Sequence, residues 1–155
     1  MSVGAGLGSI FAKRFEEYAV GETQDARSRV ITGDDITVFA DLSGDQHPAH
    51  TDEAFATERF GGRLAHGVLT FAVVVGLTVE YNELSVAYGY DRIRFPRPVL
   101  AGDTVTASAE VIGVREHRNP AIGLVTKAYT AVNQRGETVL VCEHVLAVQK
   151  RPAAA

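Results

Sequence analysis

The chain has 155 residues, of which 46% are hydrophobic and 22% are charged, a balance typical of one globular domain with its own core. Its 15 Lys and Arg residues and 19 Asp and Glu residues give a net charge of −4, which argues against a general nucleic-acid binder. The single cysteine, Cys142, excludes an intramolecular disulfide framework and a cysteine-based zinc cluster. We expect one domain over residues 1–155, with loose ends and an ordered core at about 13–151.

The sequence predicts neither a secretory signal nor a membrane span. No positive charge precedes the first apolar stretch, Ile10–Ala12, as it would in a secretory signal. The longest apolar run, Gly67–Val79, has 13 residues, whereas a membrane helix needs about 20. We therefore expect a cytoplasmic protein that has neither a membrane nor nucleic acid as a partner.

The N-terminal half predicts two short strands and two short helices. The strands cover Phe15–Val20 and Gln24–Ile31, the first helix begins after Thr32 and ends at Ser43–Asp45, and the second covers about Thr51–Arg59. The Thr32 hydroxyl can accept a hydrogen bond from the free N–H groups of the first turn, while Asp34 and Asp35 lie at the positive end of the helix dipole. Between the helices, Pro48 keeps His47 out of helical geometry.

From His66 onwards, an apolar segment is followed by a β-rich half. The segment up to Val79 has almost no polar face, and its length favours a helix of about four turns that is buried nearly all round, although the β-branched run Val73–Val75 also fits a buried strand. Strands are predicted over Tyr88–Phe95, Thr104–Glu116, Ile122–Asn133 and Thr138–Gln149, and their short connections indicate antiparallel pairing. The fold class is therefore α+β, with the sheet covering one side of the helix and an apolar edge left over for a dimer.

The loop from Asp45 to His50 carries a carboxylate and two imidazoles within six residues. Asp45 and His50 can hold one water molecule between them and act as a general acid–base pair. Two structural interpretations stand beside this one: Asp45 can form an Asx turn after the helix, and His50 can satisfy a backbone carbonyl. A zinc site made of Asp45, His47 and His50 is a further alternative, for which the sequence offers no fourth ligand.

A second motif, Arg63–Gly67, immediately precedes the apolar helix. The Gly67 N–H lies where the helix begins, so it can receive a developing oxyanion. Alternatively, Gly67 allows close packing and His66 caps the helix. Together with the Asp45 and His50 pair, this N–H would complete the groups needed for chemistry next to a carbonyl.

Other polar residues give weaker signals. We expect His117 to be solvated in a loop, His144 to be structural on its strand, and Cys142 to be a small buried residue. Arg92 and Arg94 are predicted to share one strand face, where they would either meet ligand phosphates or be solvated or paired surface arginines.

Several segments together resemble the MaoC-like family of (R)-specific enoyl-CoA hydratases. They are Gly44–Asp52, Ala65–Leu69, Arg94–Val99 and the pair Gly102–Asp103, and the similarity extends over most of the chain, from Phe15 to Lys150. The resemblance implies the hot-dog fold, in which an antiparallel sheet wraps around a central hydrophobic helix. It also implies assembly as a homodimer or a dimer of dimers.

The same resemblance implies a site and a reaction. Asp45 and His50 would form the catalytic dyad that holds and activates water, and the Gly67 N–H would polarise the thioester carbonyl. The residues assigned to substrate binding are His47, Ala65, His66 and Arg94. Water would add to C3 of a trans-2-enoyl-CoA and a proton to C2, giving an (R)-3-hydroxyacyl-CoA, and dehydration would use the same groups in reverse. No metal or redox cofactor is implied, because CoA is part of the substrate.

One position departs from the family pattern, and two rival functions remain open. The family usually has Asn two residues after the catalytic Asp, where this chain has His47, a residue that still donates a hydrogen bond but titrates near neutrality. A hot-dog thioesterase would aim its water at the thioester carbonyl carbon and would carry a helix-borne carboxylate. A non-catalytic acyl-binding partner subunit would lack the dyad. The pair Asp45 and His50 favours the hydratase over both rivals.

Overall fold

The computed structural model describes residues 9–153, so most of the predicted loose ends lie outside the described residues. The elements are β1 (Thr23–Val30), α1 (Gly33–Ser43), α2 (Pro48–Thr51), α3 (Glu53–Phe60), α4 (Gly67–Thr78), β2 (Ser85–Arg94), β3 (Thr104–Glu116), β4 (Ile122–Val132) and β5 (Thr138–Gln149). All strand pairs are antiparallel, in the order β1-β3-β4-β5-β2, which leaves β1 and β2 at the edges of the sheet. The predicted α+β class is confirmed.

Helix α4 is the centre of the fold and contacts strands β1, β3, β4 and β5. Its side chains Leu69, Val73 and Val74 are buried in a core shared with the sheet, so the β-branched run is helical, as the length of the segment favoured. The expectation that α4 is buried nearly all round is wrong for the single chain. Val68 is 62% exposed, and Ala72 on the next turn is also exposed, because the sheet covers only one side of the helix. No helix in the described part of the chain is long and apolar enough to span a membrane.

The strand predicted over Phe15–Val20 is also wrong, since Phe15–Glu17 forms a turn of 3-10 helix. The Glu17 carboxylate accepts a hydrogen bond from the Arg14 N–H at 2.8 Å, which closes the turn locally instead of leaving the backbone free to pair with a strand. The buried Phe15 ring lies so close to Gly123 on β4 that a Cβ at that glycine would collide with it. This segment therefore packs against the sheet through the Phe15 ring.

The helices before α4 begin and end where polar side chains satisfy their free backbone groups. At the start of α1, the Thr32 hydroxyl accepts a hydrogen bond from the Asp35 N–H at 3.1 Å, and the Asp35 carboxylate accepts one from the Thr32 N–H at 2.9 Å. Gly44 ends α1 with a φ of 77°, the left-handed conformation that glycine adopts without strain. Asp45 follows directly, so this helix end fixes where the loop to His50 begins.

The second predicted helix is present as α3, which begins after Asp52 rather than at Thr51. The additional short helix α2 was not predicted, and it forms because Pro48 supplies the first residue while His47 Nδ1 accepts a hydrogen bond from the Ala49 N–H at 3.1 Å. A backbone hydrogen bond of 2.9 Å from Leu64 N–H to the Ala49 carbonyl then ties α2 to the start of α4.

Candidate active site

The structure brings Asp45 and His50 together at the start of α4. The Asp45 Oδ2 atom lies 3.9 Å from His50 Nε2. The Nδ1 atom of His50 lies 2.7 Å from the Leu64 carbonyl oxygen, and because a carbonyl only accepts hydrogen bonds, Nδ1 carries the proton. In the neutral ring, Nε2 therefore has a free lone pair that faces the carboxylate.

The 3.9 Å separation suits a shared water molecule better than a direct hydrogen bond. The other carboxylate oxygen of Asp45 accepts a hydrogen bond from the His47 N–H at 3.2 Å, which is the Asx turn considered as an alternative. Likewise, His50 does satisfy a backbone carbonyl, that of Leu64. Both structural roles hold the two reactive atoms in place, so they support the acid–base arrangement.

His66 lies beneath this pair and is only 3% exposed. Its Nε2 atom is 3.0 Å from the backbone carbonyl of Asp45, and its ring stacks on that of His50 with centroids 3.7 Å apart. His66 is the N-cap residue of α4, as the alternative interpretation expected, but its ring makes no capping hydrogen bond to the helix. His66 instead couples the positions of Asp45 and His50.

Gly67 is the first residue of α4, and its N–H has no acceptor among the described residues. It faces a cavity of about 380 Å³ that is also lined by His50, Ala65 and Thr70. A Cβ built on Gly67 would lie 3.0 Å from the Phe95 ring, which shows how closely that ring covers the glycine backbone. A second opening, of about 210 Å³, contains Asp45, His50, His66 and Gly67. The acid–base pair and the free N–H therefore border one shared space.

Two residues assigned to substrate binding lie outside both cavities. His47 is exposed, with its ring centroid 6.0 Å from that of His50, and its Nδ1 is used as the cap of α2. Arg94 is exposed, and its guanidinium donates to the Ile93 carbonyl at 2.7 Å. The cavity wall instead contains Arg97, which sequence reasoning missed although it stands in the same Arg94–Val99 motif.

The predicted shared face of Arg92 and Arg94 is interrupted by an irregular strand. Arg92 has a φ of 54°, and the pairing register of β2 with β5 shifts between Asp91 and Arg94. Because a bulge breaks the two-residue alternation of a strand, the sequence pattern could not fix the relation of these arginines. Arg92 forms an ion pair with Glu143 at 2.6 Å and lines neither cavity.

The set of possible metal ligands in the structure differs from the set predicted from the sequence. Ligand atoms of Asp45, His50 and His66 lie within 4.8 Å of one another, so His66 takes the place predicted for His47. His50 Nδ1 and His66 Nε2 are already within hydrogen-bond distance of backbone carbonyls. Of the two remaining imidazole nitrogens, His66 Nδ1 is buried. This donor set suits a hydrogen-bonded carboxylate–imidazole pair better than a cation.

A second histidine cluster lies at the other end of α4, beside Thr78. The ring of His144 stacks on Tyr90 at 4.2 Å, and its Nδ1 lies 2.6 Å from the Tyr129 hydroxyl. His144 is 6% exposed, and burial together with the positive charge of Lys127 lowers its pKa to about 4. The cluster lines a separate cavity of about 170 Å³. His144 therefore stays neutral at physiological pH, in keeping with the structural role predicted for it.

Comparison with known proteins places this geometry in a family. The profile of the MaoC like domain matches residues 15–133. The chain belongs to the MaoC-like dehydratase family. Its MaoC-like relatives include 3-hydroxyacyl-thioester dehydratase Z of Mycobacterium tuberculosis, 31% identical over 75% of this chain and 81% of that protein. The (R)-specific enoyl-CoA hydratase of Rhodospirillum rubrum is 35% identical over 64% of this chain and 70% of that protein.

Solved structures agree with the hot-dog architecture of this MaoC-like chain. The (R)-hydratase from A. caviae superimposes with a TM-score of 0.71 at 28% identity, covering 86% of this chain and 98% of that one. A double-hotdog protein from Mycobacterium tuberculosis gives a TM-score of 0.81 over 93% of this chain and 46% of that one, and at 21% identity it bears on the fold alone. The predicted family and hot-dog fold are both confirmed.

Proposed function

We propose that this MaoC-like protein is a hydratase/dehydratase that adds water reversibly across the C2–C3 double bond of a trans-2-enoyl-CoA to give an (R)-3-hydroxyacyl-CoA. The observation that carries the proposal is the shared cavity bordered by the Asp45 carboxylate, the free lone pair of His50 and the uncapped Gly67 N–H. The relatives named as a hydratase and a dehydratase act as further support.

In the proposed step, a water molecule lies between Asp45 Oδ2 and His50 Nε2. Nε2 takes one proton as the water oxygen bonds to C3, and the π electrons move towards the thioester carbonyl. The Gly67 N–H, at the positive end of α4, stabilises the enolate oxygen that develops there. The proton then passes from the dyad to C2, so one water is consumed and no group is left over. Asp45 stabilises the transient imidazolium of His50.

Every group that this step uses belongs to the chain or to the substrate. Proton transfer needs the carboxylate and the imidazole, and carbonyl polarisation needs the backbone N–H, so we propose that the enzyme works without a metal or redox cofactor. The CoA portion is part of the substrate. We propose a cytoplasmic location for the enzyme, with which its single buried cysteine, Cys142, is compatible.

The proposal is tested by following crotonyl-CoA in the presence of the purified protein. The conjugated absorbance of the enoyl thioester should fall while no free thiol is released, and the product should be the 3-hydroxy thioester. Release of CoA thiol would instead support the thioesterase rival, and a lack of turnover with bound ligand would support an acyl-binding subunit. A panel of enoyl-CoAs of different length and branching would then define the acyl group.

We propose that a second copy of the chain covers the exposed apolar surface of α4 and of the edge strand β2. This surface includes Val68 on α4, which borders the opening with Asp45, and Val86 and Tyr88 on the edge strand β2, which are 68% and 57% exposed. An unpaired strand edge is a ready site for antiparallel pairing with the same strand of another copy. Sedimentation equilibrium should give a dimer or a dimer of dimers, and Val86→Lys should shift the protein towards monomer. A monomeric wild-type chain would contradict this assembly.

A further inference from the structure

We propose that Arg97 is the residue that recognises an anionic group of the substrate, and this assignment rests on the proposed function of the neighbouring site. Arg97 lines the cavity of about 380 Å³ together with His50, Gly67 and Thr70. Among residues 9–153, it is the only arginine or lysine in the lining of that cavity. A ligand that reaches the proposed catalytic groups through this cavity therefore passes the Arg97 guanidinium.

The guanidinium charge of Arg97 is not neutralised by an ion pair within the described part of the chain. Its side chain is exposed and forms no ion pair with any residue between 9 and 153. The charge of Arg97 does help to lower the pKa of Glu137. However, the largest cause of that lowered pKa is a hydrogen bond from Asn133, and Arg97 is the smallest of the causes. Glu137 already accepts hydrogen bonds from Asn133 at 2.8 Å and from Arg135 at 2.9 Å. The guanidinium of Arg97 is thus available to a ligand.

The backbone around Arg97 is held in a restricted conformation. Pro96 and Pro98 flank it, so the backbone is constrained on both sides, and the residue before a proline avoids helical geometry. The segment is also tied to the strip that precedes α4, because the Ala65 N–H donates to the Val99 carbonyl at 2.8 Å. An arginine whose backbone is restrained beside a reaction site and whose guanidinium makes no ion pair is suited to bidentate binding of a phosphate or a carboxylate.

Neighbouring arginines do not share these properties. The guanidinium of Arg63 is bound to the His50 carbonyl and to the Thr37 hydroxyl, at 2.7 and 2.9 Å. Arg92 is paired with Glu143. The anionic oxygens that Arg97 would hold can belong to a phosphate of the CoA portion or to a carboxylate on the acyl group, and the chemistry of recognition is the same for both.

The test compares the full-length wild type with Arg97→Gln and Arg97→Lys, using three ligands: crotonyl-CoA, the crotonyl thioester of pantetheine, which lacks the nucleotide phosphates, and an enoyl-CoA with a carboxylate on C3. Calorimetric binding is measured beside turnover, so Arg97 can be judged even if no hydration is found. Loss of one charge-assisted contact should weaken binding about tenfold or more. In turnover, KM should rise while kcat is retained, and Arg97→Lys should recover part of the loss.

Two patterns would support the assignment and identify the anion. If Arg97→Gln weakens crotonyl-CoA but not crotonyl-pantetheine, the group is a CoA phosphate. If it weakens only the carboxylated acyl thioester, the group is the acyl carboxylate. Equal weakening of all three ligands, or no weakening of any, would overturn the proposal. Arg118→Gln serves as the matched control, because Arg118 is an exposed arginine that lines none of the cavities described above, and it should bind all three ligands as the wild type does.

Discussion

The two ends of helix α4 carry histidine clusters that are built alike but have different chemistry. At each end a histidine stacks on a second ring, His66 on His50 and His144 on Tyr90, and one nitrogen of the inner histidine has no partner among the described residues. The clusters differ in the carboxylate nearby: Asp45 Oδ2 lies 3.9 Å from His50 Nε2, whereas Glu80, which lines the cavity of the second cluster, is paired with Lys127 at 2.7 Å. In the proposed mechanism, it is this nearby carboxylate, rather than the imidazole itself, that prepares a histidine for proton transfer.

The same substitution at both ends of α4 is the strongest test of this comparison. His50→Gln removes the nitrogen lone pair that takes the proton in the proposed step, so we expect kcat for enoyl-CoA hydration to fall by about 10²–10⁴. His144→Gln should leave kcat within about twofold of the wild type, since His144 borders a separate cavity. Steady-state kinetics with both variants checks this, and equal losses at the two positions would remove the distinction.

Acid should affect the second cluster through stability. The pKa of buried His144 is lowered from 6.5 to about 4, so the unfolded chain takes up a proton as pH falls through 6.5, whereas the folded chain does not until about pH 4. The neutral histidine therefore costs stability progressively between these values, by about 3 kcal/mol at the acid end.

Urea unfolding at pH 7 and pH 4.5 measures this effect, and the wild type should lose more stability on acidification than His144→Gln does. The difference between the two proteins isolates the histidine, because both retain the same carboxylates. An identical loss in the two proteins would show that His144 is not buried in its neutral form.

The glycine at the first end of α4 sharpens the account of the oxyanion site. In Gly67→Ala, the new Cβ would lie 3.0 Å from the Phe95 ring, so the ring or the helix start must shift by a few tenths of an ångström. We expect kcat to fall about tenfold to a hundredfold, because catalysis in the proposed mechanism depends on placement of the N–H donor. Gly113→Ala is the control, since its Cβ would make only an ordinary contact with Thr126. Unchanged kcat in Gly67→Ala would argue against this role of the N–H.

The smallest expected effect concerns the Tyr129 hydroxyl at the second end. Tyr129→Phe removes the hydrogen bond of 2.6 Å to His144 Nδ1 and leaves a buried polar nitrogen without a partner. The free energy of unfolding should fall by about 1–2 kcal/mol, while hydration kinetics remain those of the wild type. A loss of activity without a loss of stability would give this cluster a part in catalysis.

The sequence predicts the sheet and α4 well because their signals are long. Strands β3 and β5 have the predicted bounds, Thr104–Glu116 and Thr138–Gln149, since alternation over many residues identifies a half-buried strand. Phe15–Val20 was too short for this signal. Its conformation is decided by one hydrogen bond that the Glu17 carboxylate accepts from the Arg14 N–H, and by packing on Gly123, a residue about a hundred positions away.

The site was predictable where its residues are close in sequence. The loop that contains Asp45 and His50 and the glycine at the start of α4 could be recognised from their motifs, and the structure brings them around one space. The position of His66 beneath His50 depends on the stacking of their rings. The spacing of the two residues in the sequence does not indicate this contact. Arg97 replaced Arg94 at the cavity because β2 is irregular and because prolines redirect the chain after it.

The most direct test of the proposed dyad is the initial rate of crotonyl-CoA hydration by Asp45→Asn, followed through the loss of conjugated absorbance. Asp41→Asn is the matched control, since Asp41 is an exposed carboxylate in α1 that lines neither of the two cavities at the start of α4, and an asparagine there can still accept the hydrogen bond that Gln46 donates to it. We predict that kcat/KM of Asp45→Asn falls by about 10³ or more while Asp41→Asn keeps the wild-type rate. An Asp45→Asn variant that hydrates crotonyl-CoA at the wild-type rate would contradict the account.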